Sequence, residues 1–272
     1  MSLILKSILL GILQGITEFL PVSSSGHLAV VEYALKKNGA EIFPPEFEMF
    51  FNVAMHFASL LAILLFFRGR IVDIFKAGNR RVLALIIVGS IPAGIVGVAL
   101  ENMGTMDALN EMPVVIGLCF LITAALLKLT DYAAEAGFEL RKAGWGKALL
   151  VGAGQALGIL PGVSRSGATI STGLVAGLKR EDAVVYSFFL AIPAILGAAC
   201  LKLLGLVNLL KETPEKAPDF GVVLAGFIAA FVTSLIAIKL ILVIVRLRKF
   251  SLFMYYCLLA AAATFVIAFI YR

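Results

Sequence analysis

The chain has 272 residues, of which 61% are hydrophobic and 15% are charged, and its formal net charge is +6. Soluble domains average about 45–50% hydrophobic and about 25% charged residues, so a mean hydropathy of +1.03 predicts an integral membrane protein. The positive charge lies in loops between apolar stretches, which excludes a nucleic-acid-binding protein. The three cysteines lie inside apolar stretches, which excludes a disulfide-stapled fold.

Six apolar stretches are long enough to cross a membrane as helices, since a spanning helix needs about 20 apolar residues. The alternating pattern of a membrane β-barrel is absent from them. The sequence therefore predicts an all-α integral membrane protein. The predicted spans are 47–67, 82–100, 112–127, 183–204, 220–245 and 251–271.

Two further apolar regions, 3–37 and 147–178, are interrupted near their middle by the polar segments Pro21–His27 and Pro161–Gly167. Each half has about 11–16 residues, which is short for a bilayer crossing. We expect each region to form a re-entrant helical hairpin. Irregular backbone at membrane depth is tolerated only where protein or water satisfies it, so these two breaks are the first places to look for function.

The two interrupted regions resemble each other at one constant difference in residue number, the repeat offset, and three spans follow each of them. We therefore predict a single membrane domain, 1–272, built from two repeats, about 1–130 and 140–272. The alternative is that two Gly/Ser-rich loops match only in composition. The pairs that match at the repeat offset are Gly11 and Gly152, Gln14 and Gln155, Val22 and Val163, Ser23 and Ser164, Ser25 and Ser166, and Gly26 and Gly167.

The loop charges predict how the repeats are oriented. The loops 68–81 and 246–250 are basic, and the charged residues of 101–111 are all acidic. Basic loops lie on the cytoplasmic side, which puts 101–111 and both chain termini outside. Three spans in each repeat then make the repeats inverted. Inverted repeats with broken helices place a site near the membrane midplane, where the two breaks would meet.

The first break combines an acid, hydroxyls and an imidazole. Gln14 and Glu18 are four residues apart and share one face of a short helix. A second short helix follows, whose N-terminal N–H groups are suited to bind an anion. The polar residues at its start are Ser23, Ser24, Ser25 and His27.

The second break places Arg165 deep in an otherwise uncharged region. An intramembrane arginine is costly and marks a functional site, and its planar guanidinium suits phosphate. Together the breaks predict a site for a phosphate-bearing ligand. A divalent metal bridging Glu18 and phosphate oxygens would offset the acid. The hydroxyls of this break are Ser164, Ser166 and Thr169.

Other interpretations of these residues are open. Glu18 and Arg165 could form a buried ion pair that only holds the two hairpins together. Serines at helix starts are often no more than caps. His56, in the middle of the first span, either faces the same cavity or bonds a neighbouring helix.

The runs Gln14–His27 and Pro161–Thr169 resemble the two signatures of the undecaprenyl-diphosphatase family, also called bacitracin-resistance proteins. The resemblance covers essentially the whole chain. It implies a metal-dependent phosphatase of the bacterial cytoplasmic membrane, with its site expected to face the outside. Such an enzyme converts undecaprenyl diphosphate to undecaprenyl phosphate and inorganic phosphate, and so recycles the carrier lipid for peptidoglycan synthesis in the cell wall.

The resemblance also implies roles for single residues. Glu18, Ser24, His27 and Arg165 would be catalytic, and Glu18 would hold Mg²⁺ or Ca²⁺ or act as a base. The family has Glu or Gln at the position of Gln14, so a second carboxylate is missing and Gln14 would offer a metal only its amide oxygen. The nucleophile is Ser24 activated by His27, His27 itself, or a metal-bound water. The hydroxyls expected to bind substrate are those of Ser23, Ser25, Ser164, Ser166 and Thr169.

The main alternative function is a secondary transporter or flippase for a phosphate-bearing lipid or anion, because inverted repeats with discontinuous helices are typical of transporters. A transporter would release no phosphate. A combined activity, which hydrolyses the lipid and also moves its product, is a further alternative. The expected partners are a polyprenyl diphosphate lipid, the membrane and, in a homodimer, a second copy of the chain.

Overall fold

The structure is a computed structural model that describes residues 2–39, 43, 45–76, 80–133, 137–212 and 219–271, most of them helical. The α-helices are α1 (Leu3–Thr17), α2 (Ser24–Lys37), α3 (Pro45–Phe66), α4 (Arg68–Phe75), α5 (Arg80–Asn102), α6 (Thr105–Asn110), α7 (Pro113–Leu129), α8 (Trp145–Leu157), α9 (Arg165–Val175), α10 (Arg180–Glu212), α11 (Phe220–Arg246) and α12 (Phe253–Ile270).

Within the described residues, five helices are long and apolar enough to cross a membrane. They are α5, α7, α10, α11 and α12. The pair Phe50–Phe66 and Arg68–Phe75, bent by 73°, passes the same test as a sixth span. The six predicted spans fall on these elements. Each is helical, and a helix satisfies its backbone polar groups within itself, as a segment that crosses lipid must. The prediction of an all-α, multi-pass membrane protein is confirmed.

Each interrupted region folds into two short helices, α1 with α2 and α8 with α9. These four helices have 15, 14, 13 and 11 residues. At 1.5 Å per residue they reach about 16–23 Å, less than the ~30 Å hydrocarbon core of a bilayer. Their lengths are those expected of re-entrant hairpins.

The two hairpins are held by matching helix crossings. Helix α1 packs against α11, and α8 packs against α5. A Cβ on Gly11 would overlap the carbonyl oxygen of Gly226, and a Cβ on Gly152 would overlap that of Gly89. Gly11 and Gly152 are one of the pairs related by the repeat offset. The matched crossings favour the two repeats, which stay a prediction.

Ion pairs group the charged loops at two places. Lys36, at the end of the first hairpin, pairs with Glu111. Arg70 and Arg246 both pair with Glu181, at the start of α10. The predicted topology is consistent with these two groupings, because it puts the members of each on one side of the membrane. The compartment that each side faces stays a prediction.

Aromatic packing fixes the end of α1 at the first break. Phe19 has no exposed surface, and its ring meets that of Phe188 edge-on at 5.2 Å. Phe67, where α3 turns into α4, lies 5.7 Å from the same ring of Phe188. Phe188 thus joins α10, the end of α1 and the turn between α3 and α4. These aromatic contacts fix the backbone next to Glu18.

The glycine crossings give a test of the packing. Gly11→Ala and Gly152→Ala each push a methyl group into the backbone of the partner helix, and overpacking costs about 1–3 kcal/mol. We expect both variants to lower the melting temperature of the purified protein in detergent. Gly94→Ala is the control, because a Cβ at Gly94 meets nothing within 4 Å. Equal melting temperatures for the three variants would contradict the observed crossings.

Candidate active site

The two breaks touch each other, backbone to backbone. A Cβ on Gly26 would lie 2.6 Å from the Cα of Gly162, and Gly162 has a φ of +96°, which favours glycine. The Ser23 hydroxyl accepts hydrogen bonds from the N–H groups of Gly26 (3.3 Å) and Gly162 (3.2 Å). The Ser166 hydroxyl donates to the carbonyl of Leu20 at 3.1 Å. The breaks therefore form one unit.

Each break leads into a helix that is capped by a serine. Ser23 caps α2 through the N–H of Gly26, and Ser164 caps α9 through the N–H of Gly167 at 3.1 Å. The first N–H groups of a helix have no partner inside the helix, and each cap serine takes only the third. Within the described residues, the cap serines bond no N–H group of the first two residues of either helix. The positive ends of two helix dipoles therefore lie at one junction, which suits an anion.

Glu18 is the centre of the polar contacts at this junction. Its side chain is 7% exposed and forms an ion pair with Arg165, whose side chain is 17% exposed. Its Oε2 accepts hydrogen bonds from Gln14 Nε2 at 3.0 Å and from the Ser24 hydroxyl at 3.2 Å. A buried carboxylate is costly unless it is paired and hydrogen-bonded. The predicted meeting of Glu18 and Arg165 is observed, with more polar partners than an ion pair needs.

His27 lies at the same helix start, but its ring nitrogens contact other groups than Ser24. Nδ1 lies 2.7 Å from the carbonyl oxygen of Ser23, which can only accept, so Nδ1 carries the proton. In the neutral imidazole, Nε2 then accepts a hydrogen bond from the Tyr256 hydroxyl at 2.7 Å. Because the Ser24 hydroxyl donates to Glu18, this structure places Glu18 rather than His27 to take its proton.

The remaining predicted hydroxyls have different surroundings. Ser25 is exposed at the junction. Ser164 and Ser166 are 2% and 3% exposed, and their hydroxyl oxygens are 3.2 Å apart. Thr169 is buried and donates to the carbonyl of Arg165 at 2.8 Å. The three buried hydroxyls, those of Ser164, Ser166 and Thr169, shape the second break. That Ser25 and these three residues bind substrate stays a prediction.

Gln14 and Glu18 do not present two oxygens to one point. A carboxylate can only accept, so the Gln14 atom beside it is the amide nitrogen. Among the described residues, no group of three or more His, Cys, Asp or Glu side chains could hold a metal. Glu18 alone fits Mg²⁺, which takes one or two carboxylates together with substrate phosphate oxygens. The metal and Gln14 as one of its ligands stay predictions, and in this structure Gln14 turns its amide nitrogen toward Glu18.

Two residues that the sequence did not single out shape the site. Thr123 of α7 donates to the carbonyl of Gly162 at 2.9 Å and accepts from the N–H of Ser164 at 3.0 Å. Thr264, also buried, is the counterpart of Thr123 in the second repeat, so the repeat offset was a signal for Thr123. Tyr256, the partner of His27, lies in an apolar span and has no sequence signal.

His56 faces the polar cluster. Its Nδ1 lies 3.3 Å from Gln14 Nε2 and 3.8 Å from Glu18 Oε2. An open cleft adjoins Gln14 between α1, α2 and α3. The cleft is lined by Leu10, Gln14, Leu28, Glu32, Phe43, Phe51, Asn52 and Met55.

The ion pair gives a test of stability. Arg165→Met leaves the buried Glu18 carboxylate unpaired, which costs about 3–5 kcal/mol. Adding Glu18→Gln removes that charge, so we expect the double variant to melt at a higher temperature than Arg165→Met alone. Lys36→Met is the control, because the Lys36–Glu111 pair is exposed to water, which screens it, and its loss should hardly change the melting temperature. Additive losses in the double variant would contradict a coupled pair.

Comparison with known proteins identifies the family. The sequence profile described as "Bacitracin resistance protein BacA" matches residues 7–263. A protein of Korarchaeum cryptofilum named undecaprenyl-diphosphatase is 36% identical over 277 residues, which cover 96% of this chain and 97% of that protein. Proteins of the same name from Desulforapulum autotrophicum and Desulfatibacillum aliphaticivorans are 37% and 38% identical, cover 97% and 98% of this chain, and match over 98% and 99% of their own length. The chain belongs to the bacitracin resistance protein BacA family.

Proposed function

We propose that this protein is an undecaprenyl-diphosphate phosphatase, which releases inorganic phosphate and leaves undecaprenyl phosphate. The observation that carries the proposal is the contact between the two breaks. It brings Glu18, Ser24, Arg165 and two helix N-termini together inside an apolar, multi-pass protein. The names of the relatives support this reaction and give no support to the transporter alternative.

The charges of the junction suit a diphosphate. Arg165 and the N–H groups at the starts of α2 and α9 are the positive groups, and Glu18 contributes a carboxylate beside them. Donors that are already oriented stabilise the charge that builds up as a phosphoryl group is transferred. A divalent metal held by Glu18 and the diphosphate oxygens would supply further positive charge to the phosphate.

The hydrogen bond from Ser24 to Glu18 favours Ser24 as the nucleophile. Its oxygen attacks the terminal phosphorus, its proton passes to Glu18, and the bond from that phosphorus to the bridging oxygen breaks, which releases undecaprenyl phosphate. Water then cleaves the phosphoserine to give inorganic phosphate and restore the hydroxyl. His27 is less suited to attack, because both of its ring nitrogens have partners.

The cleft beside Gln14 suits the lipid part of the substrate. Its walls include Leu10, Phe51 and Met55, and it adjoins the junction where the diphosphate would bind. We place the protein in the cytoplasmic membrane of a bacterium, with the junction open to the outside. The loop charges and the grouping of loops by ion pairs support the topology. The homodimer stays a prediction.

The proposed activity predicts metal-dependent phosphate release from a long-chain polyprenyl diphosphate by the purified protein in detergent. Glu18→Gln, Arg165→Ala and Ser24→Ala are each expected to lower kcat by about 100-fold or more, since each removes a group that acts on the reacting phosphate. Released phosphate would be measured with Mg²⁺, with Ca²⁺ and with a chelator.

Ser171→Ala is the matched control. Ser171 lies on α9 like Arg165, it is 1% exposed, and its hydroxyl has no hydrogen-bond partner among the described residues. We expect this variant to release phosphate at the wild-type rate. Activity that survives in Glu18→Gln and Arg165→Ala would show that the junction is not the active site. A folded wild-type protein that releases no phosphate would overturn the proposed function.

A further inference from the structure

His56 contacts the active-site cluster from a helix that carries neither break. It lies on α3, its side chain is 43% exposed, and its Nδ1 is 3.3 Å from Gln14 Nε2. The same Gln14 nitrogen is 3.0 Å from Glu18 Oε2. One amide group therefore stands between the carboxylate on one side and the imidazole on the other.

The chemistry of these three groups fixes the direction of the hydrogen bonds. Glu18, paired with Arg165, is ionised and can only accept, so Gln14 turns its amide nitrogen toward it. That nitrogen carries two N–H bonds, and the second is directed to His56. The Nδ1 of His56 must then accept, which requires the neutral imidazole with its proton on Nε2.

We propose that His56 is a positioning residue of the phosphatase site, which accepts a hydrogen bond from Gln14 and thereby holds its amide nitrogen against Glu18. Without this acceptor, the Gln14 amide is free to turn its oxygen toward Glu18, which would repel the carboxylate. The inference rests on the proposed function. It extends the cluster from Arg165 and Glu18 through Gln14 to α3.

The other repeat lacks this arrangement. Gln155, the counterpart of Gln14 at the repeat offset, is 2% exposed, and in the described part of the chain neither of its amide atoms has a hydrogen-bond partner. Ile159 stands where Glu18 would be. Burial at this helix position is therefore not enough to give a glutamine hydrogen-bond partners. Gln14 has them because Glu18 and His56 lie beside it.

The first test is spectroscopic and does not depend on activity. The chain has two histidines, so ¹⁵N NMR of protein labelled at histidine reports on His27 and His56 alone. At mildly alkaline pH we expect opposite tautomers, with the proton on Nδ1 in His27 and on Nε2 in His56. The His56→Asn variant assigns the signals. A His56 with its proton on Nδ1, or one that averages both tautomers, would overturn the inference.

The second test is a double-mutant cycle on phosphate release from a polyprenyl diphosphate. His56→Phe keeps a ring of similar size but removes the acceptor, and we expect kcat to fall roughly three- to tenfold with little change in KM. His56→Asn restores an acceptor near the position of Nδ1 and should recover most of the rate. In a Gln14→Ala background, His56→Phe should change kcat less than about twofold, because its effect passes through Gln14.

Ser59→Ala is the control on the same helix. The Ser59 hydroxyl is buried and lies 3.2 Å from that of Ser234. Because its partner is Ser234 and not Gln14 or Glu18, the variant is expected to keep the wild-type kcat. Additive effects of His56→Phe and Gln14→Ala, or no rescue by His56→Asn, would mean that His56 acts only in packing. A wild-type protein without phosphatase activity would refute the proposed function, and the tautomer of His56 would still decide the inference.

Discussion

A carboxylate and a guanidinium that are buried in an apolar protein must find each other, and this requirement organises the molecule. Glu18 and Arg165 are 147 residues apart in the chain, on different hairpins, and neither charge is stable alone in such surroundings. The glycine crossings of α1 with α11 and of α8 with α5 hold each hairpin against a long helix, and the two hairpins meet at Gly26 and Gly162. The edge-on contact of Phe19 with Phe188 then fixes the end of α1 beside the pair.

At both helix starts, the cap residue has a structural role and the residue after it has a chemical role. Ser23 and Ser164 are the caps, and their hydroxyl oxygens accept hydrogen bonds from the backbone. Ser24 and Arg165 are the next residues, the first of α2 and α9, and both contact Glu18. These two residues also correspond to each other at the repeat offset. The same backbone position thus supplies a hydroxyl from one break and a guanidinium from the other.

The spans, the breaks and the meeting of Glu18 with Arg165 could be predicted from the sequence, because length, hydropathy and a rare intramembrane charge report on them directly. The partners of single polar atoms could not. Which group accepts the Ser24 proton depends on side-chain orientation. His27 forms a hydrogen bond with Tyr256, which lies 229 residues further along the chain. The orientation of Gln14 depends on His56, for which the sequence left two interpretations open.

The central claim is that the two breaks form one anion site. Its most direct test is calorimetric binding of a polyprenyl methylene-diphosphonate, an analogue that is not hydrolysed, to the wild-type protein and to a variant in each break. Ser24→Asp adds a negative charge to the first break, and Arg165→Met removes a positive charge from the second. We predict that both weaken binding at least about tenfold, which is about 1.4 kcal/mol. Weaker binding in only one of them would contradict a shared site.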